Sequence, residues 1–524
     1  MAKIIIDPLS RIEGHLGIEI DVEKGRVVDA KCKGEMFRGY EMILKGRNPV
    51  DAVQLTQRIC GVCPISHGMA SVKNLDKAFG IEPNKNGRLL RNLTFAANYL
   101  QSHILHFYHL VALDYVDITA LLKYKGKDRR LNSLKAWARM EFESKKGKPD
   151  EITAGAPFLP RFEHDTYIKN HDLNMAAIVH YGQAFDIRMK THRMVTIWGG
   201  KIPHSTAIVP GGMTQVPTVN RINEYEMILN EVERFVKEVY LPDVLAIAGV
   251  YKDYFGLGKS ENFISYGLFD ESDGDGYDQD YMFERGSYIN NKLGEIDVNK
   301  IAEAVRYSRY SSPTNLHPSK GRTSPKPDKA GAYSWVKAPR YNGNMVEVGP
   351  LARTVVAYMS GNKNIKSEVD SLLKGFNASL SDLFSVLGRY ACRAIESKII
   401  CEKARTWLNE IEIDKRPRNT YKIPDKCKGM GLVEAPRGSL GHWITVSKKK
   451  ISNYQCVVPT TWNCSPRDDN GKRGAVEEAL IGTPIIDPNN PIEAVRVVRS
   501  FDPCLACAVH VIEGGRDITR FRIS

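Results

Sequence analysis

The sequence contains no apolar run approaching the ~18 residues that a membrane-spanning helix requires. It opens "MAKIIIDPLSR", whose apolar patch is too short for a signal-peptide core. The chain is therefore expected to carry no export address of its own, so that any export would ride on a partner. Cysteine is sparse, ten in 524 residues, which excludes a disulfide scaffold. Stacking aromatics are not interleaved with the two basic clusters, "KRPRNTYK" and "SKKK". The net charge of +13 is accordingly read as a docking surface or a solvated exterior, and no nucleic-acid partner is expected. Internal repeats and clear linkers are lacking too.

What is present has the balance of an ordinary globular protein, 42% apolar and 26% charged. Its length exceeds the usual single core, leaving either two domains or one large layered body. Residues 17–33 alternate on both arms of a hairpin, "GIEIDV", a turn at "EKG", then "RVVDAKC". From about residue 51 the period becomes helical. Leu93, Ala97, Leu100, Ile104 and Phe107 recur at three and four, a buried helix face. Further helical stretches are expected near 161–196, 219–239 and 363–412. Residues 255–345, richer in Gly, Asp, Ser and Pro, read as long loops with short strands. The expected fold class is mainly α with smaller β parts (α+β), one intertwined, helix-dominated body.

Four cysteines stand apart from the rest. "RICGVCPISH" (58–67) holds Cys60 and Cys63, and "DPCLACAVH" (502–510) holds Cys504 and Cys507. A CxxC unit lets two sulfurs face one ion while the intervening amides turn toward them. Two such units permit an S₄ site, with structural zinc as the default occupant. A thioredoxin-like redox pair is the alternative, but no βαβ pattern surrounds either unit. Cys32, Cys392, Cys401, Cys427, Cys456 and Cys464 show no ligand spacing and read as small packed side chains. His103, His106 and His109 occur at steps of three, which drift about 60° around a helix at each step and do not converge on one ion. His67, just after the first CxxC, is a better candidate, as a hydrogen-bond donor to a cysteine sulfur.

The segments around the two CxxC units resemble those of the large subunit of nickel–iron hydrogenases. The resemblance runs through the chain in order: "DPLSRIEGHLGIE" (7–19), "GEMFRGYEMILKGR" (34–47), "HFYHL" (106–110), "KAPRYNG" (337–343), "EVGPLAR" (347–353), "EAPRGSLGHW" (434–443) and "NYQCVVPTTWN" (453–463). It implies that Cys60 and Cys504 are terminal thiolates on nickel. Cys63 and Cys507 would bridge nickel to an iron that carries carbon monoxide and two cyanides. Soft thiolates suit nickel. Spacing alone leaves zinc and nickel undecided, and only the resemblance chooses between them.

The same resemblance implies a magnesium site at Glu41, the backbone carbonyl of Cys456 and the imidazole of His510. Without it, Glu41 reads as one half of an i,i+4 surface pair with Lys45. It also implies a domain of residues 1–510 and an extension, 511–524, removed after His510 on maturation.

Splitting H₂ heterolytically needs an electron-pair acceptor and a base in contact, then an exit for the proton. By resemblance Cys504 is the first base and Glu13 the first relay, a carboxyl whose pKa burial would raise. The plainer reading of Glu13 is an exposed side chain beside a strand. Arg437 matches an arginine over the open face of the metals, and Asp502 a carboxylate that orients it. Ser102 departs from the family, where many relatives have aspartate, and no role is assigned to it.

The implied activity is H₂ ⇌ 2H⁺ + 2e⁻ in the uptake-type, periplasmic or membrane-associated group, with the chain cytoplasmic before export. The chain has no spare cysteine constellation for iron–sulfur clusters, so a cluster-bearing small subunit is the expected partner. A maturation protease, nickel chaperones and a membrane cytochrome or quinone-linked subunit are the others. A regulatory hydrogen sensor is the alternative, argued against by the extension. Non-catalytic quinone-oxidoreductase relatives have lost the cysteines that are all present here.

Overall fold

The computed structural model describes residues 2–143, 166–272 and 280–508. The N-terminal alternation folds as β1 (Ala2–Ile6), β2 (Leu16–Glu23) and β3 (Arg26–Gly34), antiparallel in that order. The expected hairpin is β2–β3. Its turn residues Lys24 and Gly25 both have positive φ, 48° and 73°, the backbone of a tight two-residue reversal. β1 was not anticipated, because its alternation is written only in burial: Ile4 and Ile6 are buried while Ile5 is exposed.

The helical body starts with α1 (Tyr40–Ile43), α2 (Asp51–Gln57), α3 (Pro64–Phe79) and α4 (Lys85–Ile104). α4 is buried all round from Asn86 onward, and it runs on into a π-helical turn, Leu105–Val111. α5 (Arg129–Glu143) precedes α6 (His171–Gly199). α6 begins later than the period suggests, where the Asn170 side chain accepts from the Leu173 amide at 3.0 Å. Such a cap stabilises a helix start by about 1 kcal/mol. Residues 161–165, the first part of that expected stretch, lie outside the described residues. A small ribbon, β4 (Ile208–Val209) with β5 (Gly212–Met213), leads to α7 (Val219–Phe235). A second π-helical turn, Val236–Tyr240, then joins α7 to α8 (Leu241–Val250).

In the stretch read as loops, β6 (Phe263–Asp270) and β7 (Tyr281–Ile289) are longer than expected, and β8 (Lys292–Gly294) completes their sheet. β6 is buried from Phe263 to Phe269, so it shows no alternation to read. β9 (Ile301–Ala304) pairs with β10 (Ala338–Tyr341). After α9 (Pro350–Met359), the single stretch expected at 363–412 divides into α10 (Lys363–Phe376) and α11 (Val386–Asn409). Asn377 turns left-handed at φ 51° to end α10, and the Ser385 side chain caps α11.

β11 (Lys426–Ala435), β12 (Gly438–Ser447) and β13 (Lys450–Val457) form an antiparallel meander. β11 lies hard against α3: a Cβ at Gly431 would fall 2.0 Å from the Ala70 carbonyl oxygen. The described residues end in four short helices, α12 (Pro459–Asn463), α13 (Ala475–Leu480), α14 (Ile492–Ser500) and α15 (Leu505–Ala508). This last part returns to the start, where Val27 N donates to the Thr483 carbonyl at 3.0 Å and Gly482 N donates to the Val27 carbonyl at 2.8 Å. One buried apolar cluster contains both Ile4 and Cys507. The two ends of the sequence share a core.

Candidate metal centre

Each CxxC unit sits where a loop becomes a helix. α2 ends just before Cys60, and Cys63 caps the start of α3, with Pro64 at its first position. The intervening backbone turns its amides inward, so that Val62 N and Cys63 N both donate to Cys60 Sγ, at 3.3 and 3.4 Å. At the other end, α14 stops at Ser500 and the chain reverses through Asp502, whose φ is 57°. Cys504 then pairs with Glu13 in a parallel bridge, with Leu505 N donating to Glu13 O at 2.7 Å. Cys504 N donates to Thr460 Oγ1 at 3.0 Å. The second unit is thus pinned to the N-terminal loop and to α12.

These supports bring four sulfurs together. Cys60 Sγ lies 3.4 Å from Cys504 Sγ, Cys63 Sγ 3.3 Å from Cys507 Sγ, and Cys504 Sγ 3.0 Å from Cys507 Sγ. All four sulfurs fall within 4.8 Å of one another, all are buried, and none is in a disulfide. Burial pushes the Cys504 and Cys507 thiols well above their ordinary range. Hydrogen bonds from the other three, Cys504 foremost, hold Cys60 well below it. Four thiolates at this spacing repel, so in a buried site the sulfurs must either keep protons or share a cation. The donor set therefore fits a thiophilic metal ion.

A small cavity opens beside the sulfurs, lined by Cys63, Cys504, Cys507, His67, Thr460 and Arg437. Arg437 is the second residue of a two-residue turn between β11 and β12, where Ala435 pairs with Gly438. It is buried, and it is held from one side by Asp502. Nε donates to the Asp502 carbonyl oxygen at 3.0 Å, and Nη2 lies 3.0 Å from Oδ1. Burial, the largest single influence, would raise the Asp502 carboxyl; the charge of Arg437, joined by His106, Arg393 and His103, outweighs it and holds the group below its usual range. Ser102 accepts from Nη1 at 3.4 Å, a longer and neutral contact.

Glu13 is half-buried rather than exposed, which corrects the plainer reading of it. Its Oε2 accepts from Cys504 Sγ at 3.1 Å and from Ala506 N at 3.0 Å. Burial, reinforced by the charge on Cys60, raises its carboxyl. Glu41 is buried as well, which rules out the surface pair with Lys45. Oε1 accepts from the backbone amide of Cys456 at 2.9 Å, and Thr323 Oγ1 donates to Oε2. The structure thus joins Glu41 to Cys456 through the peptide N–H of that residue. His510 and residues 511–524 lie outside the described residues.

Sequence reasoning missed the other polar groups around Glu41. Lys337 Nζ donates to Glu303 Oε2 at 3.2 Å and to Gln455 Oε1 at 3.1 Å, while Gln455 Nε2 donates to Thr323 Oγ1 at 3.2 Å. Lys337 and Gln455 stand inside "KAPRYNG" and "NYQCVVPTTWN"; a buried lysine beside a buried carboxylate was the signal, and burial is invisible in one sequence. His67 lines the cavity, with its Nδ1 paired to His442 Nε2 at 3.3 Å. The three spaced histidines go to separate partners: His103 Nε2 to Glu396 at 3.0 Å, His106 Nε2 to the Arg499 carbonyl at 2.8 Å, and His109 against the rings of Tyr181 and Phe185. They serve packing and hydrogen bonding, not one shared ion, as the spacing argument expects.

A family model described as nickel-dependent hydrogenase matches residues 38–510, and a second, described as HoxL-like, matches residues 3–33. The periplasmic NiFeSe hydrogenase large subunit of Desulfomicrobium baculatum is 43% identical, over 97% of this chain and 95% of that one. The uptake hydrogenase large subunit of Rhizobium leguminosarum bv. viciae is 36% identical, over 99% and 97%. Among solved structures, the reduced Ni-Fe-Se hydrogenase from D. vulgaris Hildenborough superposes with a TM-score of 0.86 at 42% identity, covering 97% of this chain and all of that one.

Proposed function

The chain belongs to the nickel-dependent hydrogenases as a large, catalytic subunit, and from that premise we propose how its residues divide the work of H₂ ⇌ 2H⁺ + 2e⁻. Cys60, Cys63, Cys504 and Cys507 would hold the nickel, with Cys63 and Cys507 shared by an iron carrying carbon monoxide and two cyanides. When bound, this centre supplies the acceptor for the electron pair of the H–H bond. The observation that carries the reading is the convergence of four buried sulfurs from the two ends of the chain.

The protein's own part is proton handling and orientation. Cys504 Sγ is the base nearest an exit, because Glu13 Oε2 lies 3.1 Å away. A carboxyl made less acidic by burial can take a proton from sulfur and pass it on. Arg437 stays charged at any working pH and points into the cavity from a buried, doubly anchored position. It would fix the substrate against the sulfurs, and Asp502 would fix Arg437.

Glu41 would hold magnesium together with the Cys456 carbonyl and His510, tying the mature C-terminus to the core. Its burial and the surrounding Glu303 and Lys337 support a polar, closed site there. Residues 511–524 would then be removed by a maturation protease after metal insertion. Electrons would leave through the iron–sulfur clusters of a small subunit. No helix among the described residues is long and apolar enough to cross a membrane. A periplasmic or membrane-associated place would come through the small subunit.

Metal analysis combined with a hydrogen-uptake assay on the purified complex tests the reading. Nickel and iron in comparable amounts, with H₂ oxidation, are expected. Zinc in the four-sulfur site would overturn it.

A further inference from the structure

Arg437 owes its place to a residue that never touches the cavity. Its turn has only two residues, Pro436 and Arg437, and both carbonyls preceding Arg437 are gripped from outside the turn. Arg353, on α9, donates from Nη1 to the Ala435 carbonyl at 2.9 Å and from Nη2 to the Pro436 carbonyl at 3.1 Å. Its remaining donors go to two buried carboxylates. Nε and Nη2 fork onto Glu396 at 2.9 Å each, and Nη1 reaches Glu434 Oε2 at 2.8 Å. All three side chains are fully buried, and every N–H of the guanidinium is used.

The contacts close on themselves. Glu396 Oε2 also meets His103 Nε2 at 3.0 Å. His103 is the neighbour of Ser102 on α4, and Ser102 Oγ accepts from Arg437 Nη1 at 3.4 Å. From Arg437 the path therefore runs through Ser102, His103, Glu396, Arg353 and Pro436 back to Arg437. The turn is also fused to the start of α9. Gly438 has φ 129°, and a Cβ there would sit 2.6 Å from Gly349 N. The clamp on both preceding carbonyls fixes the point from which the Arg437 side chain leaves the turn, so that Asp502 and Ser102 have only its side-chain torsions to hold.

We propose that Arg353, aimed by Glu396 and His103, is the positioning residue for Arg437. This rests on the reading of Arg437 given above. Arg353 touches neither the sulfurs nor the cavity, so its effect on turnover passes through the Pro436–Arg437 turn. A lysine at 353 would keep the charge beside Glu396 but could not fork onto a carboxylate and two carbonyls together.

The test uses the complete enzyme with its partner subunit and four variants: Arg353→Lys, His103→Leu, His103→Gln and Arg437→Lys, with the double Arg353→Lys/Arg437→Lys. Nickel content and the thermal midpoint are measured beside H₂ oxidation, and the Arg353→Lys crystal structure reports where Arg437 lies. Arg353→Lys is expected to keep its nickel, to lose the 3.0 Å approach of Arg437 to Asp502, and to turn over roughly ten- to a hundredfold more slowly, the scale of an ångström-sized misplacement. In the Arg437→Lys background the same change should cost less than about twofold, because the two act as one unit. His103→Leu should lose turnover and His103→Gln, which restores a donor to Glu396, should regain most of it. A residue that merely filled space would give the opposite order. An additive double variant, or an unmoved Arg437, overturns the proposal while leaving the role of Arg437 intact. Wild-type turnover in Arg437→Lys itself would overturn that role, and the proposal with it. If Arg353→Lys does not fold, the His103 pair decides alone: equal turnover in Leu and Gln variants refutes the proposal.

Discussion

Cys504 and Glu13, 491 residues apart in sequence, stand 3.1 Å apart from sulfur to carboxylate oxygen. Two further bonds enforce that contact: Leu505 N donates to the Glu13 carbonyl, and Ala506 N to the same Oε2 that meets the sulfur. The carboxylate is therefore oriented by the very helix that presents the cysteine. That placement is what the relay proposed for Glu13 requires.

Glu13→Gln separates binding from proton movement. Glutamine keeps the size and accepts from Ala506 N, but exchanges no proton at neutral pH. Metals should assemble normally while H₂ oxidation falls by ~10²-fold or more, the scale of a lost acid–base group. Hydrogen–deuterium exchange should fall in parallel. Exchange at the wild-type rate in a fully loaded variant would send the proton by another route.

Cys507→Ser replaces a soft donor with a hard one at a sulfur that lies 3.0 Å from Cys504 Sγ and 3.3 Å from Cys63 Sγ. Nickel content of the purified variant should drop to background rather than turnover alone declining. Full nickel and iron loading with normal H₂ uptake would contradict the ligand assignment.

The two CxxC units and the helical character of most segments were legible in the sequence, because spacing and period are local properties. The choice of nickel over zinc was not, since both accept four thiolates; it came from the resemblance alone. Glu41 shows the limit most clearly. On one helix turn its sequence neighbour Lys45 looks like its partner, whereas folding buries it against β13 and Thr323. Arg353 and Glu396 were invisible for a related reason, as an isolated sequence does not say which charges are buried together. The break between α10 and α11 could have been read from "FNASLSD", where Asn377 ends one helix and serines open the next stretch.

The large subunit of active enzyme should end at His510, with residues 511–524 gone. Cys507 is three residues before that point and already held through Cys504 and Ala506 to Glu13, so the final turn is placed before any cut. Intact-mass measurement of purified, nickel-containing enzyme checks this. A fully active subunit retaining the extension would refute it.

Glu477 gives a pH signature unconnected with the metals. Burial raises its carboxyl to about 7 despite donors from Cys32 N, Tyr333 and Gly474 N. Its folded pKa lies above the unfolded value near 4.5, so the folded state binds the extra proton between those two values. Stability should thus fall as pH rises from about 4.5 to about 7 and level off above, with a contribution on the order of 3 kcal/mol. Glu477→Gln should flatten that part of the profile of thermal midpoint against pH. A variant with the wild-type slope would show that another group carries it.

The central claim, that sulfurs from both ends of the chain hold one nickel ion, is tested most directly by X-ray absorption at the nickel edge on the purified complex. The account predicts a nickel shell dominated by four sulfurs with an iron neighbour, and loss of the nickel signal in Cys507→Ser. Nickel bound chiefly through nitrogen and oxygen, or a wild-type site filled by zinc, would contradict it.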